Sequence, residues 1–375
     1  MYDAIVVGLG AMGSATLFEL AKRGKKVLGI EKFCSPHSNG STHGESRIIR
    51  QAYFEGENYV PLVLRAYELW HELEREAGER LLTPTGGLFF GKEDSTIVAG
   101  SIRTAKARGL KHEVLDAAEI MRRFPCFQLP PDFVGLYESA AGVLNPEQCV
   151  SLLRSFAVRR GAEIRDNQAV LDWNDCGDGV EVRTDVGTIR AKSLVLTPGA
   201  WISELSKGLS LPLEVRRLTM FWFAPTSGVE LFQPERFPIY ICDDPPQRDF
   251  YGFPAMNGET GGAKIAFHLV SRAAEPDCVD RNVAQEEVEE MRETVRRFLP
   301  TLNGPLLRTA TCLYTNTPDR KFIIDRHPLS KRVTVASCCS GHGFKFASAI
   351  GETLAHLALD TPPPVDVSGF CLDRF

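Results

Sequence analysis

The stretch MYDAIVVGLGAMGSATLFELAKRGKKVLGIE, residues 1–31, decides how this chain begins to fold. Its apolar run AIVV, residues 4–7, has the length and composition of a buried parallel strand. A glycine-rich turn follows, and a helical pattern then extends to Lys22 before Gly24 interrupts it. A second apolar strand, KVLGIE, ends on Glu31. This order of strand, glycine turn, helix and strand predicts an α/β unit of the Rossmann type.

The glycines of the turn have separate tasks in such a unit, and they are Gly8, Gly10 and Gly13. The first turns the chain tightly, the second lets the backbone approach a pyrophosphate, and the third packs the helix against the strand. The helix N-terminus then faces the phosphates. Glu31 is placed to accept hydrogen bonds from an adenosine ribose, and an acid there disfavours the 2′-phosphate of NADP. The motif predicts a dinucleotide site and leaves NAD and FAD both open.

Composition restricts the classes of function. The chain has 375 residues, 43% of them hydrophobic and 24% charged, which is typical of a globular protein with two domains. A formal net charge of -5 gives no reason to expect a nucleic-acid or membrane partner. No apolar run reaches membrane-spanning length, and we expect no signal peptide. The scattered cysteines predict reduced thiols and a cytoplasmic protein. No metal site is predicted.

The nucleotide-binding domain is expected to be discontinuous. A hairpin signal at residues 185–187 leads into SLVLTPGAW, which predicts a second buried strand that ends near Gly199. Residues 332–346, RVTVASCCSGHGFKF, predict one more strand and a glycine turn before a closing helix. We expect the Rossmann-type domain to contain residues 1–83, 140–215 and 310–375. A second, α+β domain built on an antiparallel sheet is expected to contain residues 84–139 and 216–309 and to bind the substrate.

Two further helices and one long polar segment stand out. Residues 58–78 carry apolar side chains at helical spacing, which predicts an amphipathic helix packed on the core. Residues 282–299 also predict a helix. The segment 32–56 is polar, contains glycines and is too long for an ordinary connection, which indicates a functional loop.

Several ordered motifs support a resemblance that covers nearly the whole chain. They are GLGAMG at 8–13, HGESRIIRQAY at 43–53, YGFP at 251–254, KIAFH at 264–268, CLYTNTPDRKFIID at 312–325 and GHGFKF at 341–346. With them the chain resembles the monomeric sarcosine oxidase group of flavoprotein amine oxidases, which includes N-methyltryptophan oxidase and pipecolate oxidase. The resemblance implies FAD, joined by a thioether from Cys312 to the 8α-methyl carbon of the flavin. Cys338 and Cys339 depart from it, because similar proteins usually have a glycine and an apolar residue there.

The resemblance also implies roles for charged residues. Arg50 and Lys345 match positions that hold the substrate carboxylate, where two cations on one anion give both orientation and affinity. His43 and Arg47 match positions against the flavin, where positive charge stabilises the anionic reduced ring. Lys264 matches the lysine that activates oxygen, because a cation nearby stabilises developing superoxide.

An aromatic wall and a second glycine turn complete the expected site. Tyr251, His268 and Tyr314 are expected to line the pocket over the flavin, where aromatic walls exclude water and can hold an amine. Gly341 and Gly343 belong to the GHGFKF turn and are expected to approach the cofactor.

The expected activity is the oxidation of a secondary amino acid, N-methyl or cyclic, by FAD. The product is an imine, which water converts to an aldehyde and a primary amino acid, and oxygen is reduced to hydrogen peroxide. The expected partners are this substrate and oxygen, and a monomer is expected. The alternatives are an NAD-dependent dehydrogenase, a flavin amine dehydrogenase with a carrier acceptor, and a flavin-bearing binding module. The identity of the amino acid is left open.

Cys242 is expected on the pocket wall, and residues 225–250 are expected to contain the loop that sets pocket size.

Overall fold

The predicted strand, turn, helix and strand form at the start of the chain. The computed structural model describes residues 1–244 and 248–375. Strand β1 (Tyr2–Val7) leads through the glycine turn into helix α1 (Ala11–Lys22), and β2 (Val27–Ile30) then pairs in parallel with β1. Gly24, just beyond the helix, has a φ of 69°, a left-handed conformation that glycine adopts without strain.

Strands and helices continue to alternate along the rest of the chain. The strands are β3 (Arg47–Ile49), β4 (Leu82–Pro84), β5 (Gly87–Lys92), β6 (Glu113–Asp116), β7 (Phe133–Glu138), β8 (Gly142–Leu144), β9 (Glu163–Arg165), β10 (Val170–Asp175), β11 (Val180–Thr184), β12 (Gly187–Leu196), β13 (Glu214–Phe223), β14 (Ile239–Cys242), β15 (Phe250–Phe253), β16 (Ala263–Phe267), β17 (Arg272–Ala273), β18 (Leu306–Asn316), β19 (Ile323–His327) and β20 (Ser330–Ser337). The helices are α2 (Tyr59–Ala77), α3 (Thr96–Ala107), α4 (Ala117–Arg123), α5 (Pro146–Arg159), α6 (Ile202–Leu205), α7 (Gly258–Gly261), α8 (Gln285–Phe298) and α9 (Ala347–Ala358).

The glycine turn follows β1, which is a strand of an eight-stranded sheet. Its main path is β10-β11-β12-β1-β2-β9, and β20 pairs with both β12 and β19. The long strand β12 forms the predicted hairpin with β11 through its first half. Its second half runs parallel to β1 on one side and to β20 on the other. The strand predicted before Gly199 therefore lies beside β1 and brings the following turn to the same sheet edge as the first glycine turn.

A nine-stranded sheet forms the second layer, in the order β17-β13-β16-β15-β14-β5-β7-β6 with β18 beside β13. It is antiparallel except where β14 and β5 pair in parallel. Strand β18, which carries Cys312, crosses the domain boundary predicted at residue 310. A small sheet, β3-β8-β4, completes the pairing. The two large sheets confirm the predicted class, a Rossmann-type α/β arrangement with a second, mainly antiparallel sheet.

The two faces of the nine-stranded sheet have different environments, because successive side chains of a strand point to opposite faces. One face packs beneath α8, where Val288, Met291 and Phe298 meet a large apolar cluster. The other face carries a small cluster that contains Trp222 and Cys312. Both predicted helices, α2 and α8, form close to their predicted bounds. No helix of the described residues is long and apolar enough to cross a membrane.

Candidate active site

A cavity of about 360 Å³ extends from the first glycine turn to the nine-stranded sheet. The long polar segment between β2 and α2, predicted to be functional, forms much of its wall. The predicted site residues that line it are Gly8, Gly10, Glu31, Arg47, Arg50, Gly199, Tyr251, His268, Cys312, Tyr314, Gly341, Gly343 and Lys345. One continuous cavity thus joins the predicted nucleotide end to the predicted catalytic end.

The glycines of the first turn behave as their spacing predicts. Gly8 has a φ of 84°, and a Cβ on it would lie 2.6 Å from the carbonyl oxygen of Thr197. A Cβ on Gly13 would lie 1.9 Å from the carbonyl oxygen of Gly8, so only glycine lets α1 pack this closely. Gly10 differs, because its nearest atom would be the hydroxyl oxygen of Thr42 at 3.6 Å. Gly10 therefore faces open cavity where the backbone can approach a ligand.

This difference between the glycines predicts two separable defects. Gly13→Ala should destabilise the cofactor-free chain by about 3 kcal/mol, because the new methyl group meets backbone oxygen. Gly10→Ala should leave the unfolding midpoint of the cofactor-free chain nearly unchanged and lower its flavin content, because the methyl group occupies the open space. Denaturant unfolding and flavin absorbance per chain measure the two effects. Equal loss of stability in both variants would contradict this division of tasks.

Glu31 lies at the end of β2 and is 5% exposed. Its Oε2 accepts a hydrogen bond from the backbone N of Leu9 at 2.6 Å, and its Oε1 accepts one from Phe33 at 3.0 Å. Burial acts to raise its pKa, but hydrogen bonds from His37 and from the two backbone donors outweigh burial and lower the pKa. An ionised carboxylate has about four acceptor sites, so acceptor capacity is left toward the cavity.

Arg47 and Cys312 lie together on the cavity wall. The Arg47 guanidinium donates to the carbonyl oxygen of Ser41 at 2.8 Å and contacts the Cys312 Sγ at 3.6 Å. Burial raises the pKa of the Cys312 thiol, and the Arg47 charge acts in the opposite direction. Cys339 lies close by, because the sulfurs of Cys312 and Cys339 are 3.8 and 4.0 Å from the carbonyl oxygen of Leu313.

Lys264, a predicted catalytic residue, and His43, a predicted cofactor-binding residue, are buried behind the cavity wall and do not line it. The Lys264 ammonium donates to the carbonyl oxygens of Gly44 at 2.9 Å and Ser46 at 2.8 Å. Burial, then the charge of Arg47, lowers the pKa of Lys264 well below that of an ordinary lysine. Burial and the same charge lower the pKa of His43 to about 3. His43 is therefore neutral near pH 7, and Arg47 is the member of that pair that carries charge.

The predicted aromatic wall is present. Tyr251 and Tyr314 each lie edge-on to His268, with ring centroids 6.4 and 6.0 Å apart. Burial is the main cause that lowers the pKa of His268 to about 4. Burial also raises the pKa of both tyrosines. All three rings are therefore uncharged near pH 7 and form an apolar wall with polar tips.

Arg50 and Lys345 lie at this end of the cavity and are both almost fully buried. The Arg50 guanidinium binds the Glu55 carboxylate at 2.6 Å and donates to the carbonyl oxygen of Ala52. Its Nε is buried without a hydrogen-bond partner among the described residues. Burial, then Arg50, lowers the pKa of Lys345 to about 7, and Glu55 acts in the opposite direction. Two cations and one carboxylate thus share a water-poor site.

One sequence prediction is wrong. Cys242 does not line the cavity but is fully buried in the cluster beneath α8. Its neighbour Ile241 faces the cavity instead, opposite Tyr251 in the pairing of β14 with β15. Neighbouring residues of a strand point to opposite faces of the sheet, so only one of the two side chains can face the cavity. The segment expected to set pocket size, residues 225–250, includes residues 245–247, which lie outside the described part of the chain.

Sequence reasoning also missed residues that shape the site. Glu55 lies near the end of the polar segment 32–56, and its position five residues after Arg50, the predicted carboxylate-binding arginine, was the available signal. Phe54 and Ile48 line the cavity beside it. Tyr53 and His342 belong to the HGESRIIRQAY and GHGFKF motifs, but nothing in the sequence shows that their side chains meet.

Comparisons with known proteins identify the family. Residues 3–357 match the model of the FAD dependent oxidoreductase family. The monomeric sarcosine oxidase of Streptomyces avermitilis is 47% identical, over 96% of this chain and 94% of the relative. The N-methyl-L-tryptophan oxidase of Yersinia pestis is 37% identical, over 100% of this chain and 99% of the relative. The solved structure of NikD, an amino acid oxidase of nikkomycin biosynthesis, has a TM-score of 0.88 at 27% identity, over 99% of this chain and 97% of NikD.

The cavity fits the cofactor of that family. Gly10 leaves space for a phosphate at the start of α1, Glu31 has acceptor capacity for a ribose, and the cavity continues to Cys312. The family match excludes the NAD-dependent alternative and confirms the resemblance seen in the motifs. The chain belongs to the FAD-dependent oxidoreductases, as a relative of the monomeric sarcosine and N-methyl-L-tryptophan oxidases.

Proposed function

We propose that this protein is an FAD-dependent oxidase of secondary amino acids that produces an imine and hydrogen peroxide. The observation that carries the proposal is the buried pair of cations, Arg50 and Lys345, beside the aromatic wall at the end of the cavity that holds Cys312. A buried cation pair is a site for an anion. An uncharged aromatic wall beside this site can exclude water and contact the amine of a bound amino acid.

The wall residues prepare the amine for reaction. When bound, FAD supplies an oxidant that accepts a hydride equivalent from the carbon next to the amine. A protonated amine has no lone pair to support that loss, so the substrate must react in its neutral form. His268 has a pKa of about 4 and carries no charge near pH 7. An apolar wall disfavours an ammonium ion and therefore lowers the pKa of the bound amine.

The two cations orient the substrate through its carboxylate. Arg50 is already paired with Glu55, so an incoming carboxylate competes with Glu55 for the guanidinium. Lys345, whose pKa is about 7, can bind an anion only while it is protonated. The bound carboxylate would raise this pKa, because an opposite charge nearby favours the charged form.

A bell-shaped pH dependence of kcat/KM follows from these groups. The rate should rise with pH as the substrate amine loses its proton, and fall as unliganded Lys345 loses its proton at a pH of about 7. Its folded pKa is below the ordinary lysine value, so the falling limb lies lower than for an exposed lysine. Initial rates over a pH series measure both limbs. A rate that rises without limit up to about pH 10 would contradict the role of Lys345.

The pair of cations, Arg50 and Lys345, also predicts that substrates with and without a carboxylate respond differently to mutation. Arg50→Lys and Lys345→Met should each lower kcat/KM for a secondary amino acid by about 10–100-fold, the size of one lost charged hydrogen bond. The matching amine without a carboxylate should lose less than about threefold, and it serves as the internal control. An equal loss for acid and amine would mean that these cations act on the cofactor or on the fold.

We further propose that the flavin is joined to the chain at Cys312. This thiol lines the cavity and has a guanidinium at 3.6 Å, and a positive charge stabilises the thiolate, the nucleophilic form of cysteine. The nucleotide end of the cavity would then be anchored by the glycine turn and the flavin end by the thioether. Arg47 would supply the positive charge beside the ring.

Oxygen is proposed as the electron acceptor, with Lys264 as the residue that promotes its reaction. Lys264 is buried within hydrogen-bond distance of the Gly44 and Ser46 carbonyls, which shortly precede Arg47 in the chain. The alternative, an amine dehydrogenase that passes electrons to a carrier, keeps the same substrate site. A binding module without oxidase activity could also use the buried cation pair, but the similarity to the sarcosine and N-methyl-L-tryptophan oxidases argues against it.

A peroxide-coupled screen tests the proposed function. The panel contains sarcosine, N-methyl-L-tryptophan and pipecolate, with the corresponding primary amino acids as controls. We expect peroxide from at least one secondary amino acid, in equal molar amount to the aldehyde or cyclic imine. Turnover with an artificial dye and no peroxide would favour the carrier-dependent alternative. No turnover with either acceptor across the panel would contradict the proposed function.

Three further expectations accompany the proposal, and they concern the oligomeric state, the compartment and the division into domains. The chain is proposed to act as a monomer, as the name of the sarcosine oxidase relatives indicates for them. It is proposed to act in the cytoplasm, and the ten cysteines, all unpaired within the described residues, agree with a reducing compartment. The predicted division into two domains is kept as a proposal, with the nine-stranded sheet in the substrate domain.

A further inference from the structure

A hydrogen-bonded chain runs from Lys345 into the core and ends on a backbone carbonyl. The Lys345 Nζ donates to the Tyr53 hydroxyl at 3.4 Å, and that hydroxyl is 2.6 Å from the His342 Nδ1. The His342 Nε2 lies 3.0 Å from the carbonyl oxygen of Arg320. Tyr53, Lys345 and His342 are 0%, 4% and 8% exposed, so water cannot replace these bonds readily.

The donor and the acceptor of each hydrogen bond in this series, from Lys345 to the Arg320 carbonyl, are fixed. The Arg320 carbonyl oxygen can only accept, so the His342 Nε2 must carry the hydrogen. Burial is the main cause that lowers the pKa of His342 to about 4, so the ring is neutral near pH 7 and its Nδ1 can only accept. The Tyr53 hydroxyl therefore donates to His342. Its oxygen is left as an acceptor that points toward the Lys345 ammonium.

His342 contributes a second acceptor to the same ammonium. The Lys345 Nζ donates to the backbone carbonyl oxygen of His342 at 2.6 Å. The ammonium has three N–H donors, so two are held by the Tyr53 hydroxyl and the His342 carbonyl and one remains for a ligand. The surrounding oxygens thus aim the third donor, and both of them favour the charged form of the lysine.

We propose that Tyr53 and His342 are positioning residues that keep Lys345 charged and aimed at the substrate carboxylate. The inference rests on the proposed function, in which Lys345 binds that carboxylate. Neither residue is assigned contact with the reacting atoms. They act through Lys345. The neutral His342 ring accepts the hydrogen bond from the Tyr53 hydroxyl, and the Tyr53 oxygen therefore remains an acceptor for the Lys345 ammonium.

The charges around Lys345 explain why such support is needed. Arg50, on the segment after β3, acts against the ammonium, and Glu55 on the same segment acts for it. His268, at the end of β16, also faces this group and is neutral near pH 7. Helix α2 packs against Lys345 through Trp70, whose indole N–H donates to the Lys345 carbonyl oxygen, and adds no charge there. With Glu55 bound to Arg50, the Tyr53 and His342 oxygens are the acceptors in direct contact with the ammonium.

Tyr53→Phe tests the proposal, and Tyr59→Phe is its matched control. The Tyr53 variant removes one oxygen and keeps the ring, which packs against Tyr59 at 4.9 Å between centroids. Tyr59 is equally buried, and its hydroxyl has no hydrogen-bond partner among the described residues. The probe is acetate, titrated into the flavin-containing protein over a pH series. Binding is measured by the change in flavin absorbance and, independently, by the rise in melting temperature.

The expected result is a shift of the pH profile and not a uniform loss. If the Lys345 pKa falls by about one unit in Tyr53→Phe, acetate binds about tenfold more weakly at about pH 8 and nearly as well as to the parent at about pH 5.5. His342→Gln, which removes the acceptor for the Tyr53 hydroxyl, should shift the profile in the same direction. Tyr59→Phe should retain the parent profile.

Two results would overturn the proposal, and they differ from each other. Weakening of acetate by the same factor at every pH in Tyr53→Phe, or no weakening at all, would show that Tyr53 is merely structural while the carboxylate site stands. Failure of the parent protein to bind acetate at any pH would overturn the carboxylate site itself, and with it both proposals.

Discussion

Cys312→Ala is expected to move the yellow colour from the protein pellet to the supernatant after acid precipitation. A thioether survives acid denaturation, whereas a cofactor held by hydrogen bonds and packing is released when the chain unfolds. The variant should still fold, because the substitution removes one sulfur atom from β18 and leaves the glycine turn and Glu31, which follow β1 and β2 of the eight-stranded sheet, unchanged. We expect it to bind FAD reversibly and to be less active, since the covalent link fixes the ring and raises its potential.

Cys339→Ala is the matched control for this experiment. Its sulfur lies 4.0 Å from the same Leu313 carbonyl oxygen that Cys312 contacts at 3.8 Å, so both thiols occupy one corner of the cavity. Of the two sulfurs, that of Cys312 is the one that the Arg47 guanidinium contacts, at 3.6 Å. We expect the colour of Cys339→Ala to stay in the pellet. Colour in the supernatant for the parent protein, or for Cys339→Ala alone, would contradict attachment at Cys312.

The parts of the fold that the sequence predicted depend on local rules. The turn at Gly8 and Gly13 needs residues without a Cβ, and the neighbouring atoms at 2.6 and 1.9 Å explain why no other residue fits. Helix α2 follows from apolar spacing that its own sequence displays. The hairpin of β11 and β12 follows from the turn signal at residues 185–187 between two alternating strand patterns. In each case the deciding pattern is local in the sequence.

The parts that the sequence could not supply depend on register and on distant contacts. Cys242 and Ile241 are neighbours, and a shift of one residue in pairing exchanges which of them faces the cavity. The contact of Tyr53 with His342 joins residues 289 positions apart, and it requires the segment after β3 and the turn after β20 to be brought together. The neutral state of His43 likewise comes from burial, which a motif does not reveal.

Lys264→Met is expected to slow the reaction with oxygen by about 100-fold and to leave substrate oxidation within about tenfold of the parent. Oxygen becomes an anion when it takes its first electron, so a fixed cation nearby stabilises that step and one lost group has an effect of this size. Cleavage of the carbon–hydrogen bond creates no anion at this position. Methionine keeps the approximate length of lysine, which preserves the contacts with Phe253 and Trp222.

Two half-reactions separate these effects. Anaerobic mixing with substrate should bleach the yellow absorbance at nearly the parental rate, and admission of air should restore it about 100-fold more slowly. Lys331→Met, which removes the same charge from an exposed position on β20, should match the parent in both. An unchanged reaction with oxygen, or a parallel collapse of both half-reactions, would contradict the assignment. Parallel collapse would mean that Lys264 acts on the pocket through the Gly44 and Ser46 carbonyls that it binds.

The pH dependence of the oxygen step provides an independent check on the charge. Burial, then Arg47, lowers the pKa of Lys264 well below the ordinary lysine value. Because the ammonium is the charged form, its effect is complete below that pKa and is lost as the pH rises through it. The rate of reaction with oxygen should therefore fall as the pH rises in the parent protein, and should be nearly independent of pH in Lys264→Met. A parental oxygen rate that increases with pH would show that Lys264 acts as a neutral amine, and Arg47 would then be the cation to test.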